Sequence, residues 1–166
     1  TIAVMNKARA LKAAGKSVVD LSGGDPDFDT APHVTEAAIA ALKNGFTHYT
    51  PSRGIPELLK AIVDKTENEN SAVYTTKEVL VTPGAKTALY TAAQAVINPG
   101  DEAILFDPCW VSYDPCIELA GGKSVYVTMD TSTTLNDLKA SLEKAVTKHT
   151  RMMILNSPNN PSGFVW

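Results

Sequence analysis

The chain has 166 residues, 44% hydrophobic and 20% charged, with a formal net charge of -3 and 2 cysteines. At roughly 100–200 residues per domain, that length suffices to bury a core without disulfide or metal staples, and the balance excludes a disordered or collagen-like chain. No Lys/Arg run gives an electrostatic footprint for nucleic acid or an anionic membrane, so small-molecule ligands are expected and neither of those partners is. The apolar stretches are broken by Lys, Asp or Pro short of the ~18 residues a membrane span needs, and no signal pattern opens the chain, which reads as cytoplasmic. Cys109 and Cys116 lack zinc-site spacing and read as reduced structural thiols; His33, His48 and His149 are scattered and form no metal constellation.

In chain order, Val4, Leu11 and their alanine neighbours predict a helix stopping at Gly15, and Ser17 to Leu21 a short strand running into Gly23-Gly24-Asp25-Pro26. A second helix takes Asp29 or Thr30 as cap and Pro32 in its first turn, with Val34, Ala37, Ala38, Ala41 and Leu42 on one face and Gly45 past its end. Leu58, Leu59, Ile62 and Val63 give the buried stripe of a third helix after Gly54, and the polar run Glu67 to Ser71 reads as a loop. A strand over Glu78 to Thr82 then turns at Pro83-Gly84 into a helix with Ala85, Ala88, Leu89, Ala92, Ala93, Val96 and Ile97 on one face. Glu102 to Phe106 is a short apolar strand, Asp114-Pro115 an N-cap and N1 pair, and Gly121-Gly122 closes that helix before a strand over Ser124 to Thr128. Leu135, Leu138, Leu142 and Val146 mark a further helix, and Arg151 to Leu155 a last strand entering the 156–163 loop.

Such alternation predicts an α/β domain built of crossover units around a mostly parallel sheet. Ligands of such sheets sit beyond the carboxyl ends of the strands, which here means the loops after Leu21, Thr82, Phe106 and Leu155. The 82–87 turn hands a strand over to a helix through small residues, so free N–H groups and the positive helix end form an anion site, although taken singly Gly84 is more often a plain tight turn and Lys86 a solvated lysine. Trp110 is either a flat platform for a planar ligand or local packing. Asn159 and Asn160 precede Pro161 with amides facing outward, free to donate to an oxyanion or phenolic oxygen, or form a plain turn. Tyr49 and Arg53 flank Pro51 and either reach a phosphate or sit in solvent, the latter favoured for Arg53.

Seven collinear motifs change the weight of these single readings: Gly24-Asp25-Pro26-Asp27-Phe28, Tyr49-x-Pro-x-x-Gly54, Gly84-Ala85-Lys86-x-Ala88-Leu89, Asn98-Pro99-Gly100-Asp101-Glu102, Pro108-x-Trp110-x-Ser112-Tyr113, Gly121-Gly122 and the 156–163 run ending Asn159-Asn160-Pro161-Ser162-Gly163. Together they resemble class I aminotransferases of fold type I, nearest the bacterial aspartate aminotransferase branch. The resemblance implies a three-layer sandwich with a mostly parallel, mixed sheet: residues 1–32 contribute to a small domain and 33–166 form the first part of the large cofactor domain. It also implies pyridoxal 5'-phosphate, its phosphate cradled by backbone N–H groups around Gly84, Ala85 and Lys86, its ring stacked on Trp110 and its phenolic oxygen bonded to Asn160. Gly24 would meet the substrate α-carboxylate, Lys86 the distal carboxylate of a dicarboxylic substrate, and Tyr49 the phosphate of a neighbouring subunit's cofactor in a homodimer. Trp110 and Asn160 would border the substrate as well.

In that family the Schiff-base lysine, the aspartate facing the pyridine nitrogen and the arginine clamping the α-carboxylate all follow the Asn-Asn-Pro-Ser-Gly motif. The expectation is therefore a piece of a larger enzyme, with no catalytic lysine up to Trp166 and no transamination by the piece alone. The parent would exchange amino acids and 2-oxo acids by ping-pong transamination, Lys86 favouring aspartate or glutamate. Other amino acid aminotransferases, a C-S lyase, an aminocyclopropane carboxylate synthase, the aminotransferase-like half of a transcription regulator and, from a different class, a non-catalytic phosphate-binding α/β module remain alternatives.

Overall fold

A computed structural model describes residues 2–24 and 26–165; Asp25, part of the turn expected after Leu21, lies outside them. The chain divides into two compact units, residues 1–49 and 50–166.

In the first unit, α1 (Ile2–Ala13) buries Ala8, and α2 spans Pro32–Lys43. The cap of α2 is Ala31, with no side-chain hydrogen bond, rather than Thr30 or Asp29. The residue before a proline is driven extended, here to ψ 137, so the helix starts at Pro32, whose missing N–H costs nothing at that position. The strand expected over residues 17–21 does not form. Val19 and Leu21 are 85% and 91% exposed, and no described strand lies alongside to pair their backbone.

The second unit opens with α3 (Pro56–Asn70), which continues through the polar run read as a loop and stops at Ser71 in the left-handed conformation, φ 55. Ion pairs one turn apart, Lys60–Asp64 and Lys65–Glu69, support this solvated last half. The strand expected over residues 78–82 is also absent: Thr76–Glu78 form a 3-10 turn in which Glu78 caps Thr75, and Val81 N–H donates only to Arg53 C=O at 2.9 Å. After α4 (Ala85–Val96) come β1 (Glu102–Asp107), α5 (Tyr113–Leu119), β2 (Lys123–Thr128), α6 (Leu135–Ala145) and β3 (Thr150–Ile154). Ser112, rather than Asp114, is the N-cap of α5, which places Pro115 within the first turn, where no backbone acceptor needs its N–H.

The three strands form one parallel sheet in the order β2-β1-β3. Central β1 is buried on both faces. Ala103 and Leu105 pack with Ile97, Tyr113 and Ile117, while Ile104 and Phe106 pack with Val127 and Met129 beneath Leu138 and Leu142. Helices therefore cover both faces of the sheet, giving three layers. The arrangement follows from right-handed crossovers: β1 to β2 moves one way along the sheet through α5, β2 to β3 moves back past β1 through α6, and opposite travel puts the two helices on opposite faces.

Candidate functional site

That reversal makes the carboxyl ends of β1 and β3 the switch point of the sheet, the place where open α/β sheets hold their ligands. The loop after β1 carries Trp110 and the loop after β3 carries Asn159 and Asn160. Helix α4 enters β1 through the 97–101 turn and so runs against the strand, bringing its N-terminus to the same end.

Gly84 caps α4 at φ 79 and ψ 162, a conformation open essentially to glycine alone. Its own N–H donates to Thr82 C=O at 2.8 Å and its C=O accepts from the Thr82 hydroxyl at 3.0 Å, so Gly84 shapes the turn. No side chain caps the helix, and the first-turn N–H groups of Ala85 and Lys86 are left directed out of the helix end beside the positive pole of the dipole. A Cβ on Gly84 would meet nothing within 4 Å, which leaves room at the mouth of the turn for a ligand.

Lys86 is exposed on α4, and its ammonium stands 5.0 Å from the centroid of the half-buried Trp110 ring. Trp110 in turn meets Tyr113 edge to face, with centroids 5.6 Å apart at 85°. The indole is thus held by a T-shaped aromatic contact and carries a cation over its ring, the latter worth about 0.5–1 kcal/mol as an exposed cation–π contact. Beside it, burial pushes the Cys109 thiol above its ordinary pKa, and the charges of Asp107 and Asp114 push it further. Both cysteines are free thiols.

The two asparagines separate. Asn159 is 6% exposed, its Nδ2 donating to Pro108 C=O at 3.1 Å and its Oδ1 accepting from Ser162 N–H and Oγ at 3.2 and 2.7 Å. Asn160 is exposed, its backbone N–H donating to Asn156 Oδ1 at 2.7 Å, and its carboxamide has no partner among the described residues. The expectation that both amides face outward thus holds for Asn160 and fails for Asn159, whose carboxamide is drawn inward by the Pro108 carbonyl on one side and the Ser162 donors on the other. Arg53 is not solvated: its guanidinium donates to Thr76 and Val79 C=O at 2.8 and 2.7 Å and ties the 50–55 loop to the 3-10 turn. Tyr113, missed as a partner of Trp110, was signalled only by its position three residues on. In the first unit, Gly24 is exposed with open space around it, and the Tyr49 phenol is fully exposed.

A cleft of about 610 Å³ runs along α6 between Leu135, Leu138, Leu142 and Val146, a bare apolar helix face interrupted by Lys139 and Glu143. Among the described residues no group of His, Cys, Asp and Glu could hold a metal ion, and no helix is long and apolar enough to cross a membrane.

Residues 16–166 match the family model for aminotransferase class I and II. The chain belongs to that family. It is 44% identical over 166 residues to the aspartate/prephenate aminotransferase of Nitrosomonas europaea, covering 100% of this chain and 42% of that protein. Solved structures agree: the aspartate aminotransferase of Rhizobium meliloti superposes with a TM-score of 0.90 at 41% identity, over 99% of this chain and 41% of the other. The Thermus thermophilus aspartate aminotransferase with maleate gives 0.90 at 42%, over 99% and 43%. The chain thus spans about 42% of the length of the curated relatives it matches, and the sheet, with helices on both faces, is a partial fold type I domain.

Proposed function

We propose that this aminotransferase-family chain forms the phosphate and ring-binding part of a pyridoxal 5'-phosphate-dependent aminotransferase that exchanges acidic amino acids with 2-oxo acids by ping-pong transamination. The observation that carries the reading is the Lys86 ammonium over the Trp110 indole at the uncapped start of α4. A positive helix end, a cation and a flat aromatic face converge there, which suits a planar ring bearing a phosphate. Bound there, the group supplies an electron sink for charge developing at the α-carbon of an amino acid.

The chain's own residues supply binding and orientation. The N–H groups of Ala85 and Lys86 hold the phosphate oxygens. Trp110 fixes the plane of the ring, and the free carboxamide of Asn160 donates to its phenolic oxygen. Gly24 offers its N–H to the substrate α-carboxylate. Lys86, a mobile point charge, reads a distal carboxylate without the bidentate geometry an arginine imposes; the maleate held by the Thermus relative is a dicarboxylate, which supports acidic substrates. Tyr49, exposed in its own unit, serves the cofactor of a second subunit in a homodimer. The same reading assigns residues 1–32 to a small domain and 33–166 to the large one, and places the covalent lysine outside these 166 residues.

The test is to supply the protein that carries this chain with pyridoxal 5'-phosphate, L-aspartate and 2-oxoglutarate. Oxaloacetate and glutamate in equal amounts support the proposal. Ammonia and pyruvate released without an acceptor mean a lyase, and phosphate-dependent thermal stabilisation without turnover means a binding module; either outcome contradicts it.

A further inference from the structure

We propose that Asn159 is a positioning residue that locks the loop after β1 to the loop after β3 and so sets the span between the Trp110 ring and the Asn160 carboxamide. The inference rests on the reading above for the use of that span, though not for the lock itself.

Asn159 is the buried polar residue of the described structure, and its hydrogen-bonding groups are all engaged. Besides its side-chain bonds, its N–H donates to Phe164 C=O and its C=O accepts from Gly163 N–H, both at 2.7 Å. The orientation of the carboxamide is forced. Pro108 presents a carbonyl, which only Nδ2 can meet, and the two donors of Ser162 leave Oδ1 as their sole partner. The Ser162 contacts close the 159–164 turn on itself. The Pro108 contact, by contrast, joins residues 51 apart in sequence, across the two strands that pair through Leu105 and Ile154.

The geometry ties two exposed groups to one buried one. Trp110 follows Pro108 by two residues and is held from its other side, where its C=O accepts from Tyr113 N–H at 3.1 Å. Asn160 follows Asn159 directly, its main chain pinned by Asn156 while its side chain stays open. With the backbone fixed on both sides of the switch point, ring face and carboxamide keep one separation before any ligand arrives. Preorganisation of this kind raises affinity by removing the ordering cost from the binding step.

The test uses Trp166→Phe, in which Trp110 is the only tryptophan of the chain. Asn159→Asp keeps an oxygen for Ser162 but sets a carboxylate oxygen against the Pro108 carbonyl; Ser162→Ala leaves the Pro108 bond intact. Expected for Asn159→Asp are a red-shifted Trp110 emission, easier quenching by acrylamide, and an affinity for pyridoxal 5'-phosphate lower by about tenfold, as for one unsatisfied buried group. Ser162→Ala should leave emission and affinity within about twofold of the parent while lowering the melting temperature. The proposal is overturned if Asn159→Asp behaves as its parent, or if both variants shift the Trp110 signals equally. Should Asn159→Asp not fold, amide exchange in the unsubstituted chain decides: the Nδ2 protons of Asn159 should exchange far more slowly than those of Asn160, and equal rates refute the lock. If the protein that carries this chain binds no pyridoxal 5'-phosphate, the functional reading fails, while quenching and exchange still decide the lock.

Discussion

Replacing Gly84 by alanine isolates the backbone strain that shapes the start of α4. The added Cβ meets nothing within 4 Å, so there is no packing penalty to count. What remains is the conformation itself, φ 79 and ψ 162, which costs a residue with a Cβ about 1–3 kcal/mol. Restricting the unfolded chain returns about 0.4–1 kcal/mol, leaving a net loss of about 0–2.6 kcal/mol. Gly24, which also has open space around it but no positive φ, is the matched control, and alanine there should be neutral or slightly stabilising. Urea denaturation of both variants reads the difference as a shift of midpoint at unchanged slope, since no contact is added or lost. For a chain of this size the same loss lowers the melting temperature by about 2–4 °C per kcal/mol. Coincident curves for the two variants would refute the assignment of Gly84 as an obligatory glycine.

Three further outcomes follow from the packing and the ionisable groups. Alanine at Gly122 would put its Cβ 2.5 Å from Ile97 Cγ2 and 3.1 Å from Ile117 Cγ2, so a loss of about 1–3 kcal/mol or more is expected from overpacking; calorimetric melting at the wild-type temperature would contradict it. Hydrogen bonds from Ser22, Thr75, Ser132 and Thr134 hold the carboxyls of Asp20, Glu78, Asp130 and Asp137 below the usual range. A depressed folded pKa adds stability above the unfolded value and loses it as pH falls through the folded one. The urea midpoint should therefore decline below about pH 4, and a midpoint still flat at pH 3 would remove these bonds from the account. The raised thiol pKa of Cys109 lowers its thiolate fraction, so iodoacetamide at pH 8 should modify it several-fold more slowly than free cysteine, as mass spectrometry of the peptide would record; an equal rate argues against its burial.

What the sequence reveals and conceals divides along physical lines. Among the described residues, the six α-helices and the three paired strands announce themselves by local periodicity and by turn residues such as Pro99-Gly100 and Gly121-Gly122. The segments 17–21 and 78–82 have the same strand-like composition, yet a strand needs a neighbour, and pairing is a non-local fact that composition does not carry. The polar residues 67–70 stay helical because ion pairs one turn apart substitute for an apolar stripe. At the site, the glycine turn, the lysine and the tryptophan were legible as types. Which of two adjacent asparagines turns inward was not, because it depends on the Pro108 carbonyl arriving from 51 residues away. Arg53 was misjudged for the same reason: its acceptors, the Thr76 and Val79 carbonyls, lie in a turn more than 20 residues later.

The central claim is that the start of α4 and the Trp110 face together bind a planar ring through its phosphate. Calorimetric titration of the chain with pyridoxal 5'-phosphate and with pyridoxal, each with and without competing inorganic phosphate, addresses it most directly. The account predicts saturable, reversible binding of the phosphate ester, at least about tenfold weaker binding of pyridoxal, and loss of the difference when phosphate competes. Equal affinity for the two, or no saturable binding of either, would contradict it.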